Sequence, residues 1–381
     1  HLVGQESHAL YNRMGISRLV YGRSAMQGLY LLGEQWYDEH DVHAWLNTMA
    51  RRIDIRAQRV LLGTGEALPY DRLILAMGSS AAIPPIDGVD RPGSVVLRLA
   101  NDAMQIRGYA QQHGCRRAGV AGGGLLGLEA AYSLHLLGLQ VTVLERGQRL
   151  LSRQVDPRCS ELVGEQFAKA GIEVLRRAET ARVVGSPAVT AVELKDGRVL
   201  PCEVFLAATG IRSNVELARA AGIPVGRGVL VDDRLRTRVR WVYAAGDVAE
   251  HIGQGLGLWP IAVVQAEAAA VNALGGDMVL TAETPATILK GVGLELFSIG
   301  RVEALPEDEV IVVDRPTVPS YRRLLLSEGR AVGATVLGHH PADVTAAQKA
   351  VRNRAKVSLN MLQALRSGDW SALAEDPAPV R

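Results

Sequence analysis

The sequence predicts an α/β protein: two Rossmann-like units of alternating strand and helix, then a small α+β unit at the C-terminal end. Three observations carry that prediction. A strand, a glycine-rich loop, a helix and a second strand follow one another between residues 116 and 147. A pattern of 11 positions occurs twice, at 68–78 and 200–210. From about Pro285 the chain turns to short strands and a closing helical run.

The stretch "RRAGVAGGGLLGLEAAYSLHLLGLQVTVLERG" covers 116–147. Ala118 to Ala121 reads as a short apolar strand, and Gly122, Gly124 and Gly127 stand at G-x-G-x-x-G spacing. Gly122 permits a tight turn, Gly124 lets backbone approach a pyrophosphate, and Gly127 lets a helix pack closely on the strand. Leu125 and Leu126 open that helix, which Leu128, Ala131, Leu134 and Leu137 continue at helical spacing. Its unpaired N–H groups and positive dipole end suit phosphate. A second strand, 140–144, ends at Glu145, 23 residues beyond Gly122, where an acid can bind adenine ribose hydroxyls. An acid there repels a 2′-phosphate and favours NAD over NADP, while Arg146 and Arg149 nearby act the other way. A lone glycine motif is weak; the ordered succession of strand, helix, strand and acid favours a nucleotide site over a structural glycine turn.

"LPYDRLILAMG" at 68–78 and "LPCEVFLAATG" at 200–210 share leucine, proline, an acid, an alanine and the last glycine. Each follows a strand ending in glutamate, by 72 residues from Glu6 to Gly78 and by 65 from Glu145 to Gly210. The chain thus reads as two copies of one nucleotide-binding unit, with Ala76, Met77 and Gly78 answering to Ala208, Thr209 and Gly210. The opening "HLVGQES" is then the strand and acid of the first copy. The 23-residue spacing puts the first loop glycine at a formal position of 6 − 23 = −17. The expectation is that roughly 20 to 30 residues precede His1 in the parent protein, and that the chain as written holds its first nucleotide poorly.

Two such units resemble the two-dinucleotide-binding flavoprotein fold shared by glutathione reductase and rubredoxin reductase. "VYAAGDVAEH" at 242–251 resembles the second FAD signature of that fold, which implies that Asp247 binds the ribityl and pyrophosphate part of FAD. "YNRMGIS", "RQVDPR", "ATGIRSN", "GLWPIAVVQAEAAAVNALGG" and "TPATILKGVGLELFSIG" resemble, more narrowly, the flavoprotein portion of NAD(P)H nitrite reductases and the related rubredoxin and ferredoxin reductases. The resemblance implies Glu6 on the FAD ribose, with Arg13 and Ser17 along the FAD beside the flavin. It implies Arg98, in "VVLRLANDA", on FAD at the domain crossover, and Trp259, Pro260 and Ile261 bordering the isoalloxazine. Glu129 matches the glutamate that lies near the nicotinamide, so Glu129 and Trp259 are the residues expected nearest the chemistry. There are departures too. Met77 replaces the usual threonine of the first ATG-like strand, and the lysine often found after the PYxR segment is absent, with Arg18 nearby. The cysteine-ligated iron–sulfur and sirohaem modules of nitrite reductases have no counterpart in these 381 residues, so the chain alone is not expected to reduce nitrite.

The implied organisation is an FAD domain in two segments, 1–103 and 225–283, an NAD domain at 104–224 between them, and an interface domain at 284–381 packed on the FAD domain. The implied activity is hydride transfer from NADH to FAD, then passage of electrons to a small carrier of rubredoxin or ferredoxin type or to a nitrite-reductase-type module. Two alternatives are an NADH oxidase using O₂ and a non-enzymatic nucleotide-binding protein whose flavin site is lost.

Composition restricts the remaining possibilities. With 48% hydrophobic and 22% charged residues the chain is ordinarily globular. Lysine plus arginine number 42 against 40 acids, a net charge of +2 that gives no reason to expect a nucleic-acid or membrane partner. No apolar run has the roughly 18 residues of a membrane span, so a soluble cytoplasmic protein is expected. The sequence leaves oligomeric state open, a homodimer included. Cys115, Cys159 and Cys202 form no CxxC pair and read as buried small hydrophobes, and no metal site is expected. His40 and His43 lack further clustered ligands, and His339 and His340 have no dithiol to protonate. Arg234, Arg236, Arg238 and Arg240 read as one solvated face of a strand, ahead of a docking patch for an acidic partner. In the last region, "LELFSIGRV", "DEVIVVDR" and "YRRLLLSEGRAVGATVLG" read as strands with a glycine turn at 327–330, followed by helical periodicity over 342–365.

Overall fold

The structure, a computed structural model, describes residues 1–374 apart from 23–24, 254–256, 282–283 and 316–319. These residues form two compact units, one of His1–Ala82, Arg98–Met104 and Gly210–Ala282, the other of Ile83–Leu97, Gln105–Thr209 and Glu283–Arg381.

The second unit is built on a five-stranded parallel sheet in the order Glu173–Arg176, Gln140–Glu145, Arg117–Ala121, Val204–Ala207, Ser94–Val95. Helix Leu125–Leu136 links the central strand to its neighbour Gln140–Glu145. Val120, Val143, Phe205 and Leu206 are all fully buried, because a parallel strand in mid-sheet has both faces covered and must be apolar on both. An antiparallel sheet, Thr180–Gly185, Val189–Leu194 and Val199–Pro201, adds Val183, Val192 and Leu194 to the same core.

The C-terminal residues of this unit form an antiparallel sheet in the order Ala286–Gly291, Leu294–Gly300, Arg330–Leu337, Ser320–Ser327, Glu309–Arg315. The expected turn is there, with Glu328 and Gly329 both in the left-handed region. The single helical run expected over 342–365 is instead two helices, Pro341–Arg352 and Leu359–Ser367. Arg354 sits at φ 46°, Lys356 bridges to Arg330, and the Ser358 side chain accepts from Met361 N to cap the second helix. The resemblance sets this domain on the FAD domain; within the unit, its bonds tie it to residues 149–158. Tyr321 Oη donates to Asp156 at 3.0 Å, Ser298 Oγ donates to the Gln154 carbonyl at 2.5 Å, and Arg158 Nε donates to Asp314 at 2.7 Å.

In the first unit Leu2–Val3 pairs with Ala44–Trp45, and Leu73–Leu75 with Val242–Ala244, both parallel. An antiparallel meander, Ala50–Asp54, Arg59–Leu62 and Ala67–Pro69, packs Ile53, Val60 and Leu62 against Leu75, Val242 and Ala244. Ser79–Ala81 pairs with Ile211–Ser213. The arginine run is not a strand. Leu235, fully buried and at φ 59°, turns the chain inward, so Arg236 makes only a single bridge with Tyr243 while Arg234 bonds Asp277. Arg72 and Arg240 lie over the Trp241 ring at 3.7 and 4.2 Å. Among the described residues no helix is long and apolar enough to cross a membrane.

Candidate functional site

In the second unit the expected loop is a cradle with no room for a side chain at Gly122 or Gly127. A Cβ on Gly122, which sits at φ +119°, would lie 2.4 Å from the Ala208 carbonyl oxygen, and one on Gly127 would lie 1.9 Å from that of Gly122. Gly124 caps helix Leu125–Leu136 with no side-chain bond and faces open space, and Leu125 and Leu126 are partly exposed at the first turn. The first N–H groups of the helix are thus left for a ligand, which suits a dinucleotide pyrophosphate. Glu145 folds over the loop: Oε2 accepts from Gly123 N at 2.7 Å and Oε1 from Gly147 N at 2.5 Å. Of the two arginines expected to oppose it, Arg149 is bound to Glu303 and to the Ser152 carbonyl, while Arg146 is exposed with no side-chain partner among the described residues. Thr209 and Gly210, both exposed, follow the strand Val204–Ala207.

Glu129 lies half a turn past Gly127 on the same helix, only partly exposed. Burial pushes its carboxyl up to about 7, because the charged form is poorly solvated there. No hydrogen bond reaches that carboxylate among the described residues.

In the first unit two clusters form. Glu6 accepts from Tyr11 Oη at 2.5 Å and pairs with Arg13, and Tyr11 Oη in turn accepts from Ala100 N at 3.1 Å. Burial, then the bond to Glu6, pushes the Tyr11 hydroxyl up to about 12, so it stays a donor to the acid. Ser17 opens the helical turn Ser17–Val20 close by in sequence. The second cluster gathers on Asp247, in the turn Gly246–Val248 after strand Val242–Ala244. Asp247 Oδ2 accepts from Arg98 Nη2 at 2.5 Å and from Ser79 Oγ at 2.8 Å. Its other oxygen has no partner among the described residues, an open acceptor suited to a polyol hydroxyl such as that of a flavin ribityl chain. Met77 and Gly78 are held through their carbonyls by Asn214, at 2.8 and 3.0 Å, while Ala76 is exposed. Trp259 and Pro260 start helix Trp259–Ala273, with Ile261 following, and Gln265 of that helix accepts from Gly246 N at 2.9 Å.

The structure therefore brings Arg98 to Asp247 and Arg13 to Glu6, and among the described residues no hydrogen bond joins the two clusters' acids. Tyr11, Ser79 and Asn214 were not foreseen as site residues. Ser79 follows directly on Gly78, and Tyr11 and Asn214 lie inside the motifs "YNRMGIS" and "ATGIRSN", so adjacency was the only signal for them.

Residues 1–266 match the family of pyridine nucleotide-disulphide oxidoreductases. The chain belongs to that family. Its members use FAD and NAD(P)H. Residues 285–354 match the rubredoxin NAD+ reductase C-terminal domain. The chain is 32% identical to a nitrite reductase [NAD(P)H] of Bacillus subtilis over 338 residues, 88% of this chain and 42% of that protein. It is 33% identical to the ferredoxin–NAD(+) reductase component of the biphenyl dioxygenase system of Paraburkholderia xenovorans, over 99% of this chain and 92% of that one. Among solved structures it is similar to a covalent putidaredoxin reductase–putidaredoxin complex, with a TM-score of 0.87 and 26% identity over 98% of this chain and 91% of that one. The chain thus spans less than half of the nitrite reductase and nearly all of the ferredoxin reductase component.

For a pyridine nucleotide-disulphide oxidoreductase, the cysteines are notable. All three lie in the second unit, as free thiols, with Cys159 and Cys202 buried. Burial pushes Cys202 up to about 11 and Cys159 further, so neither is a thiolate near neutrality. No group of three or more metal-ligating side chains occurs among the described residues. His40 stacks on Trp36 with ring centroids 4.3 Å apart, and His339 bonds Glu295 at 2.7 Å.

Proposed function

We propose that this chain is an FAD-dependent NAD(P)H oxidoreductase, NADH favoured, that passes electrons to a small redox protein of the ferredoxin or rubredoxin type. The observation that carries the reading is the presence of two unlike sites in one chain. One is a glycine cradle with a ribose-type acid, Glu145; the other is an acid with an open oxygen beside an arginine, Asp247 and Arg98. When bound, the nicotinamide and the flavin supply the hydride and electron chemistry. The chain's own residues then bind and orient. Gly122, Gly124 and Gly127 admit a pyrophosphate to the helix N-terminus, while Glu145 accepts from adenine ribose hydroxyls. Asp247 accepts from a ribityl hydroxyl while Arg98 donates to its other oxygen, and Glu6 with Arg13 stands on the adenosine side of the FAD. Trp259, Pro260 and Ile261 border the flavin ring, with Ser17 and residues 76–78 alongside. Glu129 faces the nicotinamide, and because burial raises its carboxyl to about 7, the charge it places there changes near neutral pH. The three cysteines form no CxxC pair, and passage of electrons to a protein acceptor needs none. The ferredoxin reductase and putidaredoxin relatives support a protein acceptor.

The test is NADH oxidation by the protein made with its natural N-terminus, after addition of FAD, with ferredoxin, rubredoxin or O₂ alone. Fast reduction of a carrier protein supports the proposal. Peroxide formed at the rate of NADH loss, unaffected by carriers, transfers support to the oxidase reading. A chain that takes up no FAD is not this enzyme.

A further inference from the structure

We infer that Ser79 is a positioning residue of the flavin site, keeping one oxygen of Asp247 free for the ligand; this rests on the FAD reading above. Ser79 is 7% exposed and begins strand Ser79–Ala81. Its hydroxyl donates to Asp247 Oδ2 at 2.8 Å and accepts from Arg98 Nη2 at 2.6 Å, while its carbonyl accepts from Arg98 Nε at 3.0 Å. Arg98 Nη2 also reaches Asp247 Oδ2 at 2.5 Å. The guanidinium is therefore pinned at two nitrogens, one of them by Ser79 alone. An arginine beside a carboxylate prefers the two-pronged fork, with one N–H on each oxygen. Here Nε is held on the Ser79 carbonyl and the serine hydroxyl claims Oδ2, so Arg98 meets Asp247 end-on. Ser213 Oγ, donating to the Asp247 carbonyl at 2.6 Å, holds the acid's backbone in place. Oδ1 is consequently left for a ribityl hydroxyl. Without the Ser79 hydroxyl, Nη2 loses one of its two acceptors and Oδ2 one of its two donors; with Nε still on the Ser79 carbonyl, the Nη1–Nη2 end of the guanidinium can turn across both carboxylate oxygens and consume the acceptor that the ligand needs.

The experiment is a double-mutant cycle in the protein made with its natural N-terminus, reading FAD dissociation constants by quenching of flavin fluorescence and apo-protein unfolding temperature. Ser79→Ala is expected to weaken FAD about ten-fold, the scale of one hydrogen bond to a charged group. Ser79→Thr, which keeps the hydroxyl, should restore most of the affinity. Asp247→Asn should weaken binding further, and Ser79→Ala added to it should cost nothing more. Equal affinities for wild type and Ser79→Ala overturn the inference and leave the FAD reading intact. So do losses that simply add to those of Asp247→Asn, or that track a fall in unfolding temperature. No FAD uptake by the wild type overturns the FAD reading itself and this inference with it.

Discussion

The two repeat strands, Val204–Ala207 and Leu73–Leu75, carry the same sequence pattern and end in very different surroundings. The first lies between Arg117–Ala121 and Ser94–Val95 and is buried at every residue, none above 2% exposed. The second pairs with Val242–Ala244 alone among the described residues, and its Ile74 is 39% exposed. An apolar strand is buried on both faces only when neighbours and crossover helices cover it. Pattern alone thus reports what a strand is able to bury, and its neighbours decide what it does bury. The acids differ in the same way. Glu145 is held by two backbone N–H groups of its own turn and loop, whereas Glu6 is held by the side chains of Tyr11 and Arg13.

The largest expected effect breaks the comparison at the glycines. Gly127→Ala puts a methyl 1.9 Å from a backbone oxygen, so the helix must shift; a loss of about 3 kcal/mol in urea unfolding and of NADH binding is expected. Gly78→Ala in the first copy meets nothing within 4 Å and suffers only from its φ of +63°, about 1 kcal/mol. Equal losses would show that the turn at Gly78 is packed as closely as the cradle at Gly127.

Next is pH. The Glu129 carboxyl in the folded chain is raised above its ordinary value, so the fold favours its protonated form. The resulting stability is whole below the unfolded value, 4.5, and is lost as pH rises through about 7. Wild type should therefore lose up to about 3 kcal/mol relative to Glu129→Gln over that window, measured by unfolding at each pH. If Glu129 faces the nicotinamide, NAD+ should also gain on NADH in affinity as pH rises, and Glu129→Gln should abolish the trend.

Glu145→Gln should weaken NADH about ten-fold and narrow its preference over NADPH, since one ribose acceptor loses its charge; Glu6→Gln should leave NADH affinity unchanged and act on FAD. Smallest is Arg149→Ala. It removes a pair with the exposed Glu303, worth less than about 1 kcal/mol, and should not alter the NADPH preference because Arg149 is already engaged. A clear fall in NADPH affinity would place Arg149 rather than Arg146 at the 2′-position.

Much of this was legible in the chain itself. The glycine spacing, the acid 23 residues on and the 11-position repeat are local, and backbone sterics and strand periodicity act over such distances, so the cradle of 122–127 and its α/β unit could be read directly. The same rules found the solvated side of the arginines of 234–240 but took irregular chain for a strand, since exposed and buried residues alternate there as well, and they fused two C-terminal helices across a capped break. What no local rule reaches is which partner each polar group takes. Ser79, Arg98 and Asp247 meet from positions up to 168 residues apart, and Tyr11 meets Ala100 across 89. Hydrogen bonds are set by ångström-scale approach of groups that only the folded core brings together, so the identity of the acids belongs to the sequence, and their free oxygens belong to the tertiary structure.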